Sequence, residues 1–186
     1  LAAAAISAER GHSVVLLEEA PTVGGNMRLA AFPPGKGDIA GMVRSWAVRA
    51  QKAGVDIRTG IRATPDMVAV FEPDEVVVAT GAKALELPIE GIDNPAIMKG
   101  GDVLAGKACP GKNVLIAGGG MVGCEIADVL GELGHNVAVV EYRGVLAADM
   151  VAEHRTVVMR SFAEHGVSQV PNAKICRFFA DGVEYE

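Results

Sequence analysis

The chain has 186 residues, half of them hydrophobic and 22% charged, enough for one large or two small domains with filled cores. Its net charge of −6 argues against nucleic acid or an anionic membrane surface as the main partner. No apolar run is long enough to span a bilayer, and three widely spaced cysteines (Cys109, Cys124, Cys176) offer neither a disulfide framework nor a zinc site. That cysteine usage suits a reducing compartment, so a cytoplasmic location is expected.

The opening LAAAAISAER is read as a helix stopped at Gly11 rather than as a signal peptide, because it lacks a basic start and runs into a Gly-His turn. Val14 to Leu17 is an unbroken apolar run closed by Glu18, the pattern of a parallel strand buried on both faces. A turn-rich loop follows, in which the paired Gly24 and Gly25 would let backbone lie close to a ligand. Asp38 is the expected N-cap of a helix to about Ala53 whose buried side carries Met42, Val43, Trp46 and Ala50. A short strand over 55–58, a brief helix opened by Thr64-Pro65-Asp66 and a buried strand over 75–79 come next, the last ending in Thr80-Gly81. Residues 83–112 are rich in Pro, Gly and Asp and are expected to hold the interdomain connection, with one short helix near Asp102 to Leu104. A helix from Ala152 to His165 is stopped by Gly166, and residues 173–179 and 183–186 form a hairpin about Asp181-Gly182.

The informative stretch is Asn113 to Arg143. Val114 to Ala117 leads into Gly118-Gly119-Gly120-Met121-Val122-Gly123, a helical pattern follows, and a second apolar run from Val137 to Val140 stops at Glu141. Strand, Gly-x-Gly-x-x-Gly, helix, strand, acid is the dinucleotide-binding fingerprint. Gly118 would make the tight turn, Gly120 would let a pyrophosphate approach bare backbone, and Gly123 would let helix and strand pack closely. The helix start, at Met121 and Val122, offers N–H groups and partial positive charge to the phosphates, while Glu141 accepts from ribose hydroxyls. An acid at the strand end favours the free 2′-hydroxyl of NADH, whereas Arg143 suits the 2′-phosphate of NADPH. The expectation leans to NADH.

An offset of 123 residues lays the chain's start on this stretch. Ala4 meets Ala127, Glu9 meets Glu132, Gly11 meets Gly134, His12 meets His135, Val14 meets Val137 and Glu18 meets Glu141, all identities. Two copies of one nucleotide-binding unit are therefore expected, the first without its initial strand and glycine loop. The expectation is an α/β chain of two Rossmann-like three-layer dinucleotide-binding domains, both incomplete. Residues 1–108 would be a partial FAD-binding domain with its linker, and residues 109–186 an NAD(P)H-binding domain cut short at its C-terminal end.

Glu18 with Gly24-Gly25, then Ala79-Thr80-Gly81, then the glycine loop followed by Glu125, form an ordered series over nearly the whole chain. It resembles the pyridine nucleotide-disulfide reductase superfamily, and within it the C-terminal region of the NADH:flavin oxidoreductase family (2,4-dienoyl-CoA reductase, enoate reductase and trimethylamine dehydrogenase). The resemblance implies a parent protein with an FMN and iron–sulfur barrel domain, in which FAD takes hydride from NAD(P)H. It places Glu18 on the adenosine ribose of FAD, Gly24, Gly25 and Asn26 beside the flavin, Ala63 at the adenine, and Thr80-Gly81 over the cofactor. It places Gly118, Gly120, Gly123 and Glu141 on NAD(P)H, and Glu125 near the nicotinamide. A second reading of Glu125 is favourable placement in the first helical turn against the helix dipole. The resemblance carries no redox-active cysteine pair, because none is present.

No catalytic acid, base, nucleophile or metal ligand is assigned. Cys124 is read as a packing residue, His12 and His135 as parts of exposed turns, and His154 and His165 as residues of a solvated helix. Two alternatives stand beside the oxidoreductase reading: a module that keeps an adenine nucleotide such as ADP without hydride transfer, and another enzyme of the same architecture, an electron-entry subunit of glutamate-synthase type or a monooxygenase.

Overall fold

A computed structural model describes residues 1–85 and 87–186. The chain divides into two units, Leu1–Ala31 with Gly35–Ala84, and 85–186 with Phe32–Pro34.

The first unit contains α1 (Ala2–Glu9), β1 (Val15–Glu18), α2 (Asn26–Leu29), α3 (Asp38–Lys52), β2 (Asp56–Thr59) and α4 (Pro65–Ala69). β1 and β2 pair in parallel with Val15 opposite Asp56 and Glu18 opposite Thr59. Small side chains decide how α1 meets α3. Ala5 and Ala50 are fully buried and form, with Val55, a small core against which Leu16, Trp46 and Ile57 pack. At the rim the Arg49 guanidinium donates to both oxygens of Glu9, at 2.6 and 2.7 Å. Exposure screens this ion pair, so it orients α1 on α3 more than it stabilises them. The Glu9 carboxyl is held below its usual pKa, chiefly by the Arg49 hydrogen bond. α4 starts as expected, with the Thr64 hydroxyl accepting from the Met67 N–H at 3.3 Å.

Four local expectations fail in this unit. Asp38 lies inside the first turn of α3 and Gly37 is the N-cap; Met42 faces solvent rather than the core. β1 is only half-buried, not covered on both faces. Residues 75–79 form no strand, and Val76, Val77 and Val78 are 55%, 70% and 79% exposed. The reason lies in sheet order. In a doubly wound sheet a fourth strand pairs with the first. Among the described residues no strand lies beside 75–79, so its own N–H and C=O groups have no row to pair with. An apolar run cannot form a parallel strand alone.

The second unit contains α5 (Gly100–Leu104), β3 (Asn113–Ala117), α6 (Met121–Glu132), β4 (Asn136–Val140), α7 (Ala152–His165), β5 (Ser168–Val170), β6 (Ile175–Phe178) and β7 (Val183–Tyr185). β3, β4 and β5 form a parallel sheet in that order, with Asn113 opposite Asn136 and Val140 opposite Val170. One face of β3 and β4 shares a core with α6 and α7, built on Ile126, Leu130, Val137, Val139, Val158 and Phe162. Residues 85–108 belong to this unit, and within them α5 reaches the same core through Val103 and Leu104. α7 ends where expected, on Gly166 in the left-handed conformation. β6 and β7 form the expected antiparallel hairpin, and Arg177 ties it to Glu90 with an ion pair of 2.7 Å.

Phe162 is fully buried at the centre of this core. Replacing it with alanine should cost about 3–5 kcal/mol of unfolding free energy, the usual cost of an aromatic-sized cavity. Urea denaturation monitored by circular dichroism would measure it, and an unchanged midpoint would show that the core is not organised around this ring.

Candidate nucleotide site

Every element of the fingerprint occupies the position its pattern requires. β3 ends at Ala117, Gly118 turns the chain with φ of +101°, and α6 begins at Met121 with Gly120 as its N-cap. The closest approach is at Gly123, where a Cβ would lie 1.9 Å from the Gly118 carbonyl oxygen. No side chain fits there, so the start of α6 is drawn against the strand-end turn. Gly118 also donates its N–H to the Val140 carbonyl at 2.9 Å, which anchors the loop to β4. Around Gly120 the nearest atom a Cβ would meet is a carboxylate oxygen of Asp149, at 3.4 Å.

Glu141 is 5% exposed at the end of β4. One carboxylate oxygen accepts from the Gly119 N–H at 2.7 Å and the other from the Arg143 N–H at 2.8 Å. The acid therefore ties the glycine loop to the chain leaving β4. Each oxygen keeps a lone pair, so the same carboxylate can also receive a ribose hydroxyl. Arg143 is exposed, and its Nε donates to the Tyr142 hydroxyl at 2.9 Å with the guanidinium 5.4 Å from that ring's centre.

Beyond Arg143 the chain returns beneath the loop. Leu146 and Ala147 are buried, the Ala147 N–H donates to the Gly119 carbonyl at 2.6 Å, and Arg155 of α7 donates to the Leu146 carbonyl at 2.9 Å. This return delivers Asp149, whose carboxylate accepts from the Met121 N–H at 2.8 Å. Sequence reasoning did not single out Asp149, Leu146 or Gly119. They come from irregular backbone with no periodicity to mark them, and only the path of the chain brings them to α6.

Glu125 lies on α6 just past its first turn, not within it, and its side chain is nearly buried. Helix-dipole stabilisation falls off within the first turn. The placement instead faces Glu125 toward α7, with His154 Nδ1 4.0 Å from its carboxylate. Asp128, one turn on, is buried and accepts from the Ser161 hydroxyl, which in turn sits 3.0 Å from His165 Nδ1. His154, half-buried, thus belongs to a polar seam between α6 and α7, whereas His165 is exposed at the end of α7, as expected. His135 contacts the Gly111 carbonyl at 2.8 Å. Among the described residues no cluster of His, Cys, Asp and Glu has the arrangement of a metal site.

The Cys124 thiol donates to the Gly119 carbonyl at 3.2 Å, and its pKa is pushed up to about 11, chiefly by burial. It is a packing residue of the loop.

In the first unit Glu18 accepts from the Ala20 N–H at 2.9 Å at the end of β1, the counterpart of the Glu141–Arg143 bond. Asn26 donates to the Ala82 carbonyl at 3.2 Å and so brings the 24–26 loop beside Thr80-Gly81. Gly24 has a packing purpose of its own, because a Cβ there would meet Val43 of α3 at 2.6 Å. Ala63 is exposed between β2 and α4.

This geometry has counterparts in known proteins. The family model described as pyridine nucleotide-disulphide oxidoreductase matches residues 1–186. The chain belongs to that family. It is a family of flavin-dependent oxidoreductases. The chain is 34% identical over 184 residues to a bilirubin reductase of Mediterraneibacter gnavus, covering 99% of this chain and 29% of that protein. It is 36% identical over 186 residues to an NADH oxidase of Thermoanaerobacter brockii, covering 97% and 28%. Among solved structures, a 2-naphthoyl-CoA reductase complex superposes with a TM-score of 0.94 at 30% identity, over 98% of this chain and 28% of that one. The chain thus spans less than a third of the length of these relatives. Among the described residues no helix is long and apolar enough to cross a membrane.

Two predictions follow from the loop. Glu141→Gln would turn an amide N–H₂ toward a backbone N–H and leave a buried donor unpaired, at a cost of about 1–3 kcal/mol in unfolding free energy. Chemical denaturation would detect it, and wild-type stability would mean that the acid does not hold the loop. Thiol labelling of the native protein at about pH 8 should modify Cys109 and Cys176 and spare Cys124, whose thiol stays protonated until far more alkaline pH. Mass spectrometry showing rapid native labelling of Cys124 would contradict that environment.

Proposed function

We propose that the chain is the nucleotide-binding part of a larger flavin-dependent oxidoreductase, with the second unit taking NAD(P)H and the first unit forming part of an FAD site. The observation that carries the reading is the contact of Gly123 with the Gly118 carbonyl. It sets the start of α6 against bare backbone, which is the requirement for holding a pyrophosphate on helix N–H groups.

In the second unit Gly118, Gly120, Met121, Val122 and Gly123 would hold the pyrophosphate, and Glu141 the adenosine ribose. The cradle fits such a group, because no side chain projects from the three glycines. Glu141 presents a carboxylate where NADPH would bring a 2′-phosphate, and this favours NADH. Arg143, already engaged by Tyr142, is the residue that would moderate the preference. Glu125 lies on the α6 side of the loop, where a nearly buried carboxylate can orient a nicotinamide ring.

In the first unit Glu18, Gly24, Gly25, Asn26, Ala63, Thr80 and Gly81 match the ribose, adenine and flavin sides of an FAD site. The described residues there include no glycine loop for its phosphates. The fit is therefore partial, and firm FAD binding would need further chain. Bound together, the two cofactors supply hydride transfer from nicotinamide to flavin; the protein supplies binding, orientation and electrostatics. The share of each relative that the chain spans supports a longer parent protein, and the resemblance would give it an FMN and iron–sulfur barrel as the onward electron acceptor. A cytoplasmic setting suits its three free cysteines.

Titration of the purified chain by nicotinamide fluorescence should show saturable NADH binding, with NADPH weaker by about tenfold or ~1.4 kcal/mol. Gly123→Val should abolish it, and the flavin spectrum of the preparation should be well below one FAD per chain. Absence of NADH binding would overturn the site, tighter NADPH binding would overturn the NADH preference, and stoichiometric FAD would overturn the partial-site reading.

A further inference from the structure

We propose that the Asp149 carboxylate is a built-in occupant of the phosphate position on α6, which a dinucleotide must displace in order to bind. The inference rests on the nucleotide reading above and adds a residue that works against it.

The position follows from three observations. The first intrahelical bond of α6 runs from the Cys124 N–H to the Gly120 carbonyl, so the Met121, Val122 and Gly123 N–H groups point out of the helix start. The Asp149 carboxylate takes the first of these, at 2.8 Å, a charge-assisted bond to a partly positive helix end. Its second oxygen lies 3.4 Å from where a Gly120 side chain would begin, over the bare backbone that the fingerprint reserves for a pyrophosphate. Gly120 offers no side-chain cap of its own, and Asp149, 28 residues beyond Met121, supplies one.

The carboxylate does not arrive there by chance rotation of a loose loop. Leu146 and Ala147 are buried, and Ala147 is bonded to the Gly119 carbonyl. Ala147 holds a left-handed backbone (φ +53°) that alanine adopts only under constraint. The backbone near Asp149 is thus pinned to the glycine loop, while its side chain is exposed and free to swing. A pyrophosphate on Met121 would face this carboxylate at close range, and two anions cannot share one N–H. Nucleotide binding therefore requires Asp149 to turn away, which weakens affinity for phosphate-bearing ligands and leaves the adenosine part untouched. Between ligands the same carboxylate keeps the helix start capped and the loop ordered.

The test compares Asp149→Asn and Asp149→Ala with the wild-type chain, using ADP, NADH and adenosine as probes in isothermal titration. Asparagine keeps an acceptor for the Met121 N–H and removes only the charge, so the fold is retained. ADP and NADH affinity should rise by about tenfold in Asp149→Asn, while adenosine affinity stays at the wild-type value. In Asp149→Ala, hydrogen exchange of the Met121 amide should quicken without ligand and return to protection with ADP. Wild-type affinity for ADP in both variants, or weaker affinity, would overturn the displacement while leaving the nucleotide site standing. Failure of the wild-type chain to bind ADP or NADH at millimolar concentration would overturn the nucleotide reading, and this inference with it.

Discussion

The contact between Gly123 and the Gly118 carbonyl is the constraint on which the second unit depends. A helix can start this close to the end of the preceding strand only where one partner lacks a Cβ. With α6 drawn in, the Gly119 N–H is left pointing at the end of β4, where an acid with both oxygens available can accept it. Glu141 does so and holds the next segment through Arg143. The chain that follows is then laid under the loop, which is why Leu146 and Ala147 are buried although they belong to no regular element. One steric fact thus propagates through the Glu141 carboxylate and its backbone donors to the floor of the site.

The face of α6 turned to α7 shows a different economy. Glu125 and Asp128 are buried acids, which a helix interface tolerates only with polar partners. α7 contributes His154 opposite the first and Ser161 opposite the second, with His165 behind the serine. These side chains fix the rotation of one helix on the other more tightly than apolar packing alone, because a polar pair tolerates less sliding. Glu125 is therefore both a structural residue of the seam and the acid on the site's side of the helix. Its position beyond the first turn removes the dipole as its main reason for being there.

The two units share one pattern at their strand ends. Glu18 and Glu141 end equivalent strands and each bonds the N–H two residues on. In the second unit the acid has a glycine loop to bind and is buried. In the first, β1 is half-buried and 75–79 is exposed, because a parallel strand is stabilised by neighbours on both edges rather than by its own hydrophobicity. The offset of 123 residues was legible from identities at Ala4, Gly11, Val14 and Glu18. What that repeat implies for exposure depends on which neighbours are present.

Much of the second unit could be read without coordinates. Gly118, Gly123 and Glu141 stand at spacings that local geometry dictates, and the ends of α7 and the hairpin turn are set by Gly166 and Asp181-Gly182, where short-range backbone preference decides. Residues whose environment comes from distant chain were misread. Val76 to Val78 look like a core strand until pairing is counted, and His154 looks solvated until α7 lies on α6. Asp149 carries no local signal at all. By itself the sequence determined the glycine turn, the helix start and the acid that closes the second strand, because those depend on steric and hydrogen-bonding rules acting over a few residues. Only the tertiary structure decided that a carboxylate 28 residues beyond Met121 caps α6, because that contact exists only after the chain has turned back beneath its own loop.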